Sequence, residues 1–154
     1  MNVKVRKALT ADVKAIHMAL LSAAGAGLLL PRSLSDLYGH VRDFIVLEGP
    51  DGSISGFCAL AVLWEDTSEI RSLLLEERLR GQGLGRILVE ACLEEARALG
   101  TPKVFTLTYQ TEFFSRLGFA EMSKESLSQK IWVDCVHCPK FPDACDETAM
   151  VRRV

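Results

Sequence analysis

The stretch Arg80-Gly81-Gln82-Gly83-Leu84-Gly85 constrains this chain more than any other. It stands between an apolar run, Ile70 to Leu75, and a long amphipathic run that begins at Arg86. Strand, glycine-rich turn and helix in that order make a cradle for phosphate. The first N–H groups of a helix have no partner within it, and the helix dipole adds partial positive charge there. Glycines let the backbone approach an anion closely, and Arg80 and Arg86 add full charge. Taken alone, the pattern also describes a mere tight connection between a strand and a helix.

Around this turn the chain alternates between strand and helix periods. Asn2 to Ala8 reads as a first strand. Thr10 is placed to cap a helix running to about Ala24, with Val13, Ile16, Ala19 and Leu20 at helical spacing. Gly25 and Gly27 break it. The apolar run Leu28 to Pro31 follows, either plugging the core or walling a pocket with Arg32 at its rim. Ser33 fits an N-cap, with Asp36 three residues on, for a second helix ending near Arg42.

Asp43 to Glu48 is strand-like, and Gly49-Pro50-Asp51-Gly52 is a turn. Ser53 to Trp64 and Glu69 to Leu75 read as strands joined by the polar turn Glu65-Asp66-Thr67. The long helix spans Gly83 to Leu99, with an apolar stripe of Ile87, Leu88, Ala91, Cys92, Ala96 and Leu99, and Gly100 ends it. Pro102 to Tyr109 is a strand and Glu112 to Leu117 a short helix stopped by Gly118. Phe119 to Met122 and Gln129 to Val133 read as two more strands. The tail from Asp134 is irregular until Ala149 to Arg152. The order β-α-α-β-β-β-α-β-α-β-β predicts a mixed α/β domain with an antiparallel first half and one parallel crossover around the glycine turn.

Charge and hydropathy exclude some functions. A formal net charge of -2 offers no broad basic field for nucleic acid. No apolar run approaches the roughly 20 residues of a membrane helix, and Met1 to Lys7 lacks the apolar core of a signal peptide. A cytoplasmic location is the expectation. The chain has five cysteines, an odd number that argues against a disulfide framework. Cys58 and Cys92 sit in apolar segments as small core residues. Cys135, Cys138 and Cys145 cluster in the tail, where zinc is weighed against buried or redox-sensitive thiols. A single C-x-x-C pair falls short of the paired spacing of a structural zinc site, so no metal is the first expectation, with zinc on Cys135, Cys138 and Cys145, completed by His137 or Asp146, as the alternative.

This order, with Arg80 to Gly85 matching Arg/Gln-x-x-Gly-x-Gly/Ala, resembles the GNAT superfamily of acyl-CoA-dependent N-acetyltransferases. A second signature is similar too: Phe113-Phe114-Ser115-Arg116-Leu117-Gly118-Phe119 looks like that family's short aromatic helix ending in Leu-Gly-Phe. The likeness spans Asn2 to about Val133. It extends further to the short single-domain N-acetylglutamate synthases of bacteria. Gly27 to Ser33, Leu63 to Asp66, Glu69 to Leu73, Leu107 to Gln110 and the tail segments from Lys130 to Met150 carry that likeness.

The resemblance implies an α/β (α+β) GNAT fold. Its sheet would be mixed and mostly antiparallel, with six to seven strands flanked by about four helices, splayed between strands 4 and 5. It also implies one acetyltransferase domain over 1–154, with a cysteine-containing tail at about 134–154. Two departures stand out. Glu77 occupies the place of a usual proline, and Phe114 stands where many relatives have a tyrosine that protonates the leaving thiolate.

The implied activity is transfer of acetyl from acetyl-CoA to the α-amine of glutamate, or of glutamine as in some relatives, at the first step of arginine biosynthesis. The implied cofactor residues are Leu73, Leu74 and Leu75, whose backbone would meet the pantetheine arm like an added strand. Arg80, Gly81, Gln82, Gly83, Leu84, Gly85 and Arg86 would hold the pyrophosphate, and Phe114 belongs to the same set. Glu69 is the expected base, directly or through a water, and Tyr109 the expected acid. Arginine forks suit carboxylates, so Arg32 and Arg71, with Ser72 and Lys130, are the expected acceptor residues. Other acceptors, such as a protein terminus, a lysine or a small amine, and a non-catalytic acyl-CoA-binding module stay open. No nucleic acid or membrane partner is expected, and a homodimer is compatible with the resemblance.

Overall fold

A computed structural model describes residues 3–25, 32–126 and 147–154, and among these it holds seven strands and four α-helices; the seventh strand comes from the end of the tail, outside the expected element order. The strands are β1 (Lys4–Lys7), β2 (Phe44–Glu48), β3 (Ile54–Trp64), β4 (Thr67–Leu75), β5 (Lys103–Thr108), β6 (Ala120–Glu121) and β7 (Thr148–Arg153). The helices are α1 (Val13–Gly25), α2 (Leu34–Gly39), α3 (Leu84–Leu99) and α4 (Thr111–Arg116). The strand order is β1-β2-β3-β4-β5-β7-β6. β1–β2, β2–β3, β5–β7 and β6–β7 pair antiparallel and β4–β5 pair parallel, the expected mixed sheet. Two compact units share the chain: residues 1–60 with 70–95, and residues 61–69 with 96–154. Strands β3 and β4 contribute to both.

In the first unit, β2 is buried at four consecutive positions, so both of its faces are covered. Phe44 and Val46 join Phe57 and Ala59 of β3 in a core with Val13, Ile16 and Leu20 of α1 and Leu37 of α2. Fully burying a side chain such as Ile16 or Leu20 contributes about 1.5–3 kcal/mol. The opposite face of β3 presents Cys58, which is in hydrogen-bond contact with Cys92 of α3. That hydrogen bond, and then burial, push the Cys58 thiol well above its usual range. The buried stripe of α3 is Leu84, Leu88, Val89, Cys92, Leu93 and Ala96. Ile87 and Leu99, expected in the stripe, are exposed, which rotates the buried face toward Val89 and Leu93.

The entry to α1 also differs from expectation. A turn of 3-10 helix, Thr10–Asp12, precedes it, and Leu9 rather than Thr10 holds the N-cap place. Leucine has no capping acceptor, and only the return half of a capping box forms through a side chain: Leu9 N donates to Asp12 Oδ2 at 2.7 Å. Arg6 grips the same carboxylate with both terminal nitrogens, at 2.8 and 3.0 Å. The α2 cap is as expected, with Asp36 N donating to Ser33 Oγ at 3.0 Å. That helix ends at Gly39, and a 3-10 turn (Val41–Asp43) leads into β2.

In the second unit β4 pairs with β5 through Thr67–Lys103, Ser68–Val104 and Glu69–Phe105, and runs on from Ile70 to Leu75 beyond them. Glu69 therefore lies inside the strand rather than at its start. The end of the tail forms β7, which lies between β5 and β6 and buries Ala149 and Met150. Phe105 and Ala149 form a small core there, flanked by Leu63, Leu107, Met122 and Val151. The expected strand Gln129 to Val133 lies outside the described residues.

Candidate active site

The glycine turn has the backbone that its sequence requires. Gly81 and Gly83 sit at φ 80° and 79°, the left-handed region that side chains disfavour. No heavy atom lies within 4 Å of a β-carbon added at either, so conformation rather than crowding demands glycine. α3 starts directly afterwards, and its first bond in this region, Ile87 N to Gly83 O, measures 3.3 Å. The N–H groups of Leu84, Gly85 and Arg86, in the first turn, have no acceptor within the helix. Arg80 and Arg86 are exposed beside them. The turn is thus open and positively charged, the arrangement that suits an anion.

Next to it the first unit holds a cleft of about 320 Å³. Ala15, Ala19, Ser22 and Ala23 of α1 form one wall, and Ile54 to Phe57 of β3 with Leu74, Leu75 and Glu76 form the other. Arg80 also lines it, so cleft and glycine turn share a residue. Small side chains on α1 keep the space open. Gly56 does the same on β3, since an added β-carbon would lie 2.8 Å from Leu75 Cδ1. Of the residues expected to bind cofactor, Leu74, Leu75 and Arg80 meet at this cleft.

A second cluster surrounds Arg32, whose side chain is only 11% exposed. Its Nε donates to Asp36 Oδ2 at 2.6 Å, and its Nη1 lies 3.5 Å from Ser72 Oγ. Its guanidinium carbon sits 5.3 Å from the centre of the Phe44 ring, within cation–π reach. Asp36 Oδ1 is 3.0 Å from His40 Nδ1. Burial raises the Asp36 carboxyl, but the Arg32 hydrogen bond and the charges of Arg32, His40 and Arg71 outweigh it and hold it below the usual range. Asp43 shows the opposite balance: burial lifts it above the usual range despite His40, Arg71, Arg32 and Lys7. Ser72 is at φ 56°, among the described residues the one non-glycine in the left-handed region. Such a backbone costs on the order of 1–3 kcal/mol and collects at functional sites.

The sequence thus brings Arg32 and Ser72 together, and Arg71 lies close enough to Asp36 and Asp43 to shift both. It does not reveal Phe44, nor the turning of Asp36 away from its own helix end toward Arg32. The spacing of Arg32 and Asp36, four residues apart across a helix start, is the signal that points to the pair. Glu69, in the second unit, is 2% exposed. Tyr109 follows β5 and is exposed. Phe114 is buried, with its ring edge-on to Phe113 at 5.0 Å and Phe119 at 5.2 Å. Lys130 and the cysteines at 135, 138 and 145 lie outside the described residues. Among the described residues no cluster of His, Cys, Asp and Glu is suited to a metal, and no helix is long and apolar enough to cross a membrane.

Comparison with known proteins decides the family. Residues 25–119 match the acetyltransferase (GNAT) family, which includes the glycine turn and the Leu-Gly-Phe helix. The chain belongs to the GNAT family. The GNAT chain is 43% identical over 148 residues to an uncharacterized N-acetyltransferase of Chlorobaculum tepidum, covering 96% of this chain and 94% of that relative. It is 40% identical over 130 residues to an amino-acid acetyltransferase of Mycobacterium tuberculosis, covering 83% of this chain and 74% of the relative. Its GNAT fold matches N-acetylglutamate synthase from Neisseria gonorrhoeae, solved with coenzyme A and N-acetyl-glutamate. The TM-score is 0.84 at 26% identity, over 99% of this chain and 35% of that one. This GNAT chain is an N-acetyltransferase.

Proposed function

We propose that this acetyltransferase moves the acetyl group of acetyl-CoA to the α-amine of glutamate or glutamine, as an N-acetylglutamate synthase at the first step of arginine biosynthesis. The observation that carries the reading is the Arg32 cluster. A nearly buried guanidinium with Ser72 at its terminal nitrogen is a receptor for a carboxylate, and Arg71 adds charge close by. A basic peptide acceptor would call for carboxylates in that role. The names of the M. tuberculosis and N. gonorrhoeae proteins support the same acceptor class.

The donor half of the reading rests on the glycine turn and its cleft. The pyrophosphate of acetyl-CoA would lie on the N–H groups at the start of α3, with Arg80 and Arg86 beside it. Backbone groups from Leu73 to Leu75 would meet the amides of the pantetheine arm, and one N–H of β4 would polarise the thioester carbonyl. The acceptor amine attacks that carbonyl directly. Glu69 takes its proton, directly or through a water, and Tyr109 gives one to the departing thiolate. The single acetyltransferase domain is proposed to run over 1–154.

A thiol-release assay tests this reading, with acetyl-CoA and a panel of amino acids that includes glutamate and glutamine. Rapid release with one of these two, and a rise in the KM for that amino acid far above the rise for acetyl-CoA in Arg32→Ala, is the expected result. Release with neither acceptor refutes it.

A further inference from the structure

Asp36 has a role beyond its helix. As the third residue of α2's first turn it would ordinarily turn its carboxylate back to the capping residue. Instead Oδ2 accepts from Arg32 Nε at 2.6 Å, and Oδ1 faces His40 Nδ1 at 3.0 Å. Phe44 of β2 lies 5.3 Å from the guanidinium carbon, and Ser72 of β4 lies 3.5 Å from Nη1. The guanidinium is therefore fixed from three elements of the first unit.

A guanidinium has two forks that can grip a carboxylate in bidentate fashion: a side fork using Nε with one terminal nitrogen, and an end fork using both terminal nitrogens. Asp36 occupies Nε, which closes the side fork. The remaining donors point from Nη1 and Nη2, with the Ser72 hydroxyl next to Nη1. We infer that Asp36 is a positioning residue: it locks Arg32 so that an acceptor carboxylate is gripped end-on by Nη1 and Nη2, with Ser72 Oγ as an added donor. This rests on the amino-acid acceptor proposed above. Without Asp36 the Arg32 side chain regains rotamer freedom and its side fork, and a carboxylate binds in more than one pose.

The test is steady-state kinetics on the intact chain, alongside thermal unfolding. Asp36→Ala should raise the acceptor KM roughly ten-fold or more while kcat and the acetyl-CoA KM stay within about two-fold, the mark of lost ground-state positioning. Asp36→Glu should recover part of the loss. In an Arg32→Lys background, which has no Nε to hold, Asp36→Ala should add no further rise in acceptor KM. Wild-type turnover with an unchanged acceptor KM in Asp36→Ala overturns this inference alone. So does an equal rise in both KM values, or the same rise in the Arg32→Lys background. A wild-type chain that releases no thiol with any amino acid overturns the acceptor reading, and this inference with it.

Discussion

A β-carbon on Gly56 would lie 2.8 Å from Leu75 Cδ1 and 3.1 Å from the carbonyl oxygen of Leu74. One contact is with a side chain and the other with backbone, so the neighbour cannot simply rotate away. Gly56→Ala should destabilise the fold by about 1–3 kcal/mol, the usual cost of overpacking. It should also raise the acetyl-CoA KM more than the acceptor KM, because Gly56, Leu74 and Leu75 all line the cleft. Urea unfolding and two-substrate kinetics read the two effects separately.

Gly81 and Gly83 carry left-handed backbone in open space. Alanine at either position meets no clash but loses about 1–2 kcal/mol of conformational preference. Gly83→Ala should therefore weaken acetyl-CoA binding several-fold in calorimetry while leaving the hydrophobic core intact. An unchanged affinity would mean that the turn is a connection and not a cradle.

Glu69→Gln keeps the size of a nearly buried side chain and removes its basicity. Turnover should fall roughly 10²-fold or more, the range for loss of a positioned base. Acetyl-CoA affinity should stay near the wild-type value. Turnover that is unchanged across the pH profile removes Glu69 from the mechanism.

Arg6 and Asp12 give stability that depends on acid. The Arg6 hydrogen bond, helped by the Leu9 N–H, outweighs burial and holds the Asp12 carboxyl below its ordinary value. The unfolded chain therefore binds the proton more readily than the folded one. The stabilisation is complete above the unfolded carboxyl's value of about 3.9 and disappears as pH falls through the lower folded value. Asp12→Asn should cost about 1–3 kcal/mol at neutral pH, as for a hydrogen bond to a charged group. Denaturant titrations of wild type and variant should converge below that window.

Local signals were enough to read most of the described elements, whereas β7, whose place depends on pairing with β5 and β6, was legible only as the end of an irregular tail. The turn Gly49 to Gly52 announced itself by residue type and the α2 cap by Ser33, and the glycine turn did so by spacing. Longer-range facts escaped. The buried face of α3 turns on Val89 and Leu93, which is a property of packing and not of the helix's own pattern. Leu9 replaces Thr10 at the α1 entry because Arg6, on a neighbouring strand, draws Asp12 into place. At the Arg32 cluster the charged residues were visible, but Phe44 was not, since a strand phenylalanine reads as core until a guanidinium is found over it. The strain at Ser72 has no mark in the sequence at all.

The insertion of β7 between β5 and β6 sets an order of assembly. β6 pairs with β7, and β7 pairs with β5, so β6 has no place in the sheet until a much later part of the chain has arrived. Closing that loop costs entropy before any of its contacts form, and pairings distant in sequence slow folding. The half of the sheet that holds Glu69 and Phe105 is therefore expected to be the late half on the folding path. Refolding experiments should find Val104 and Met150 protected from hydrogen exchange after the core around Ile16 and Phe44.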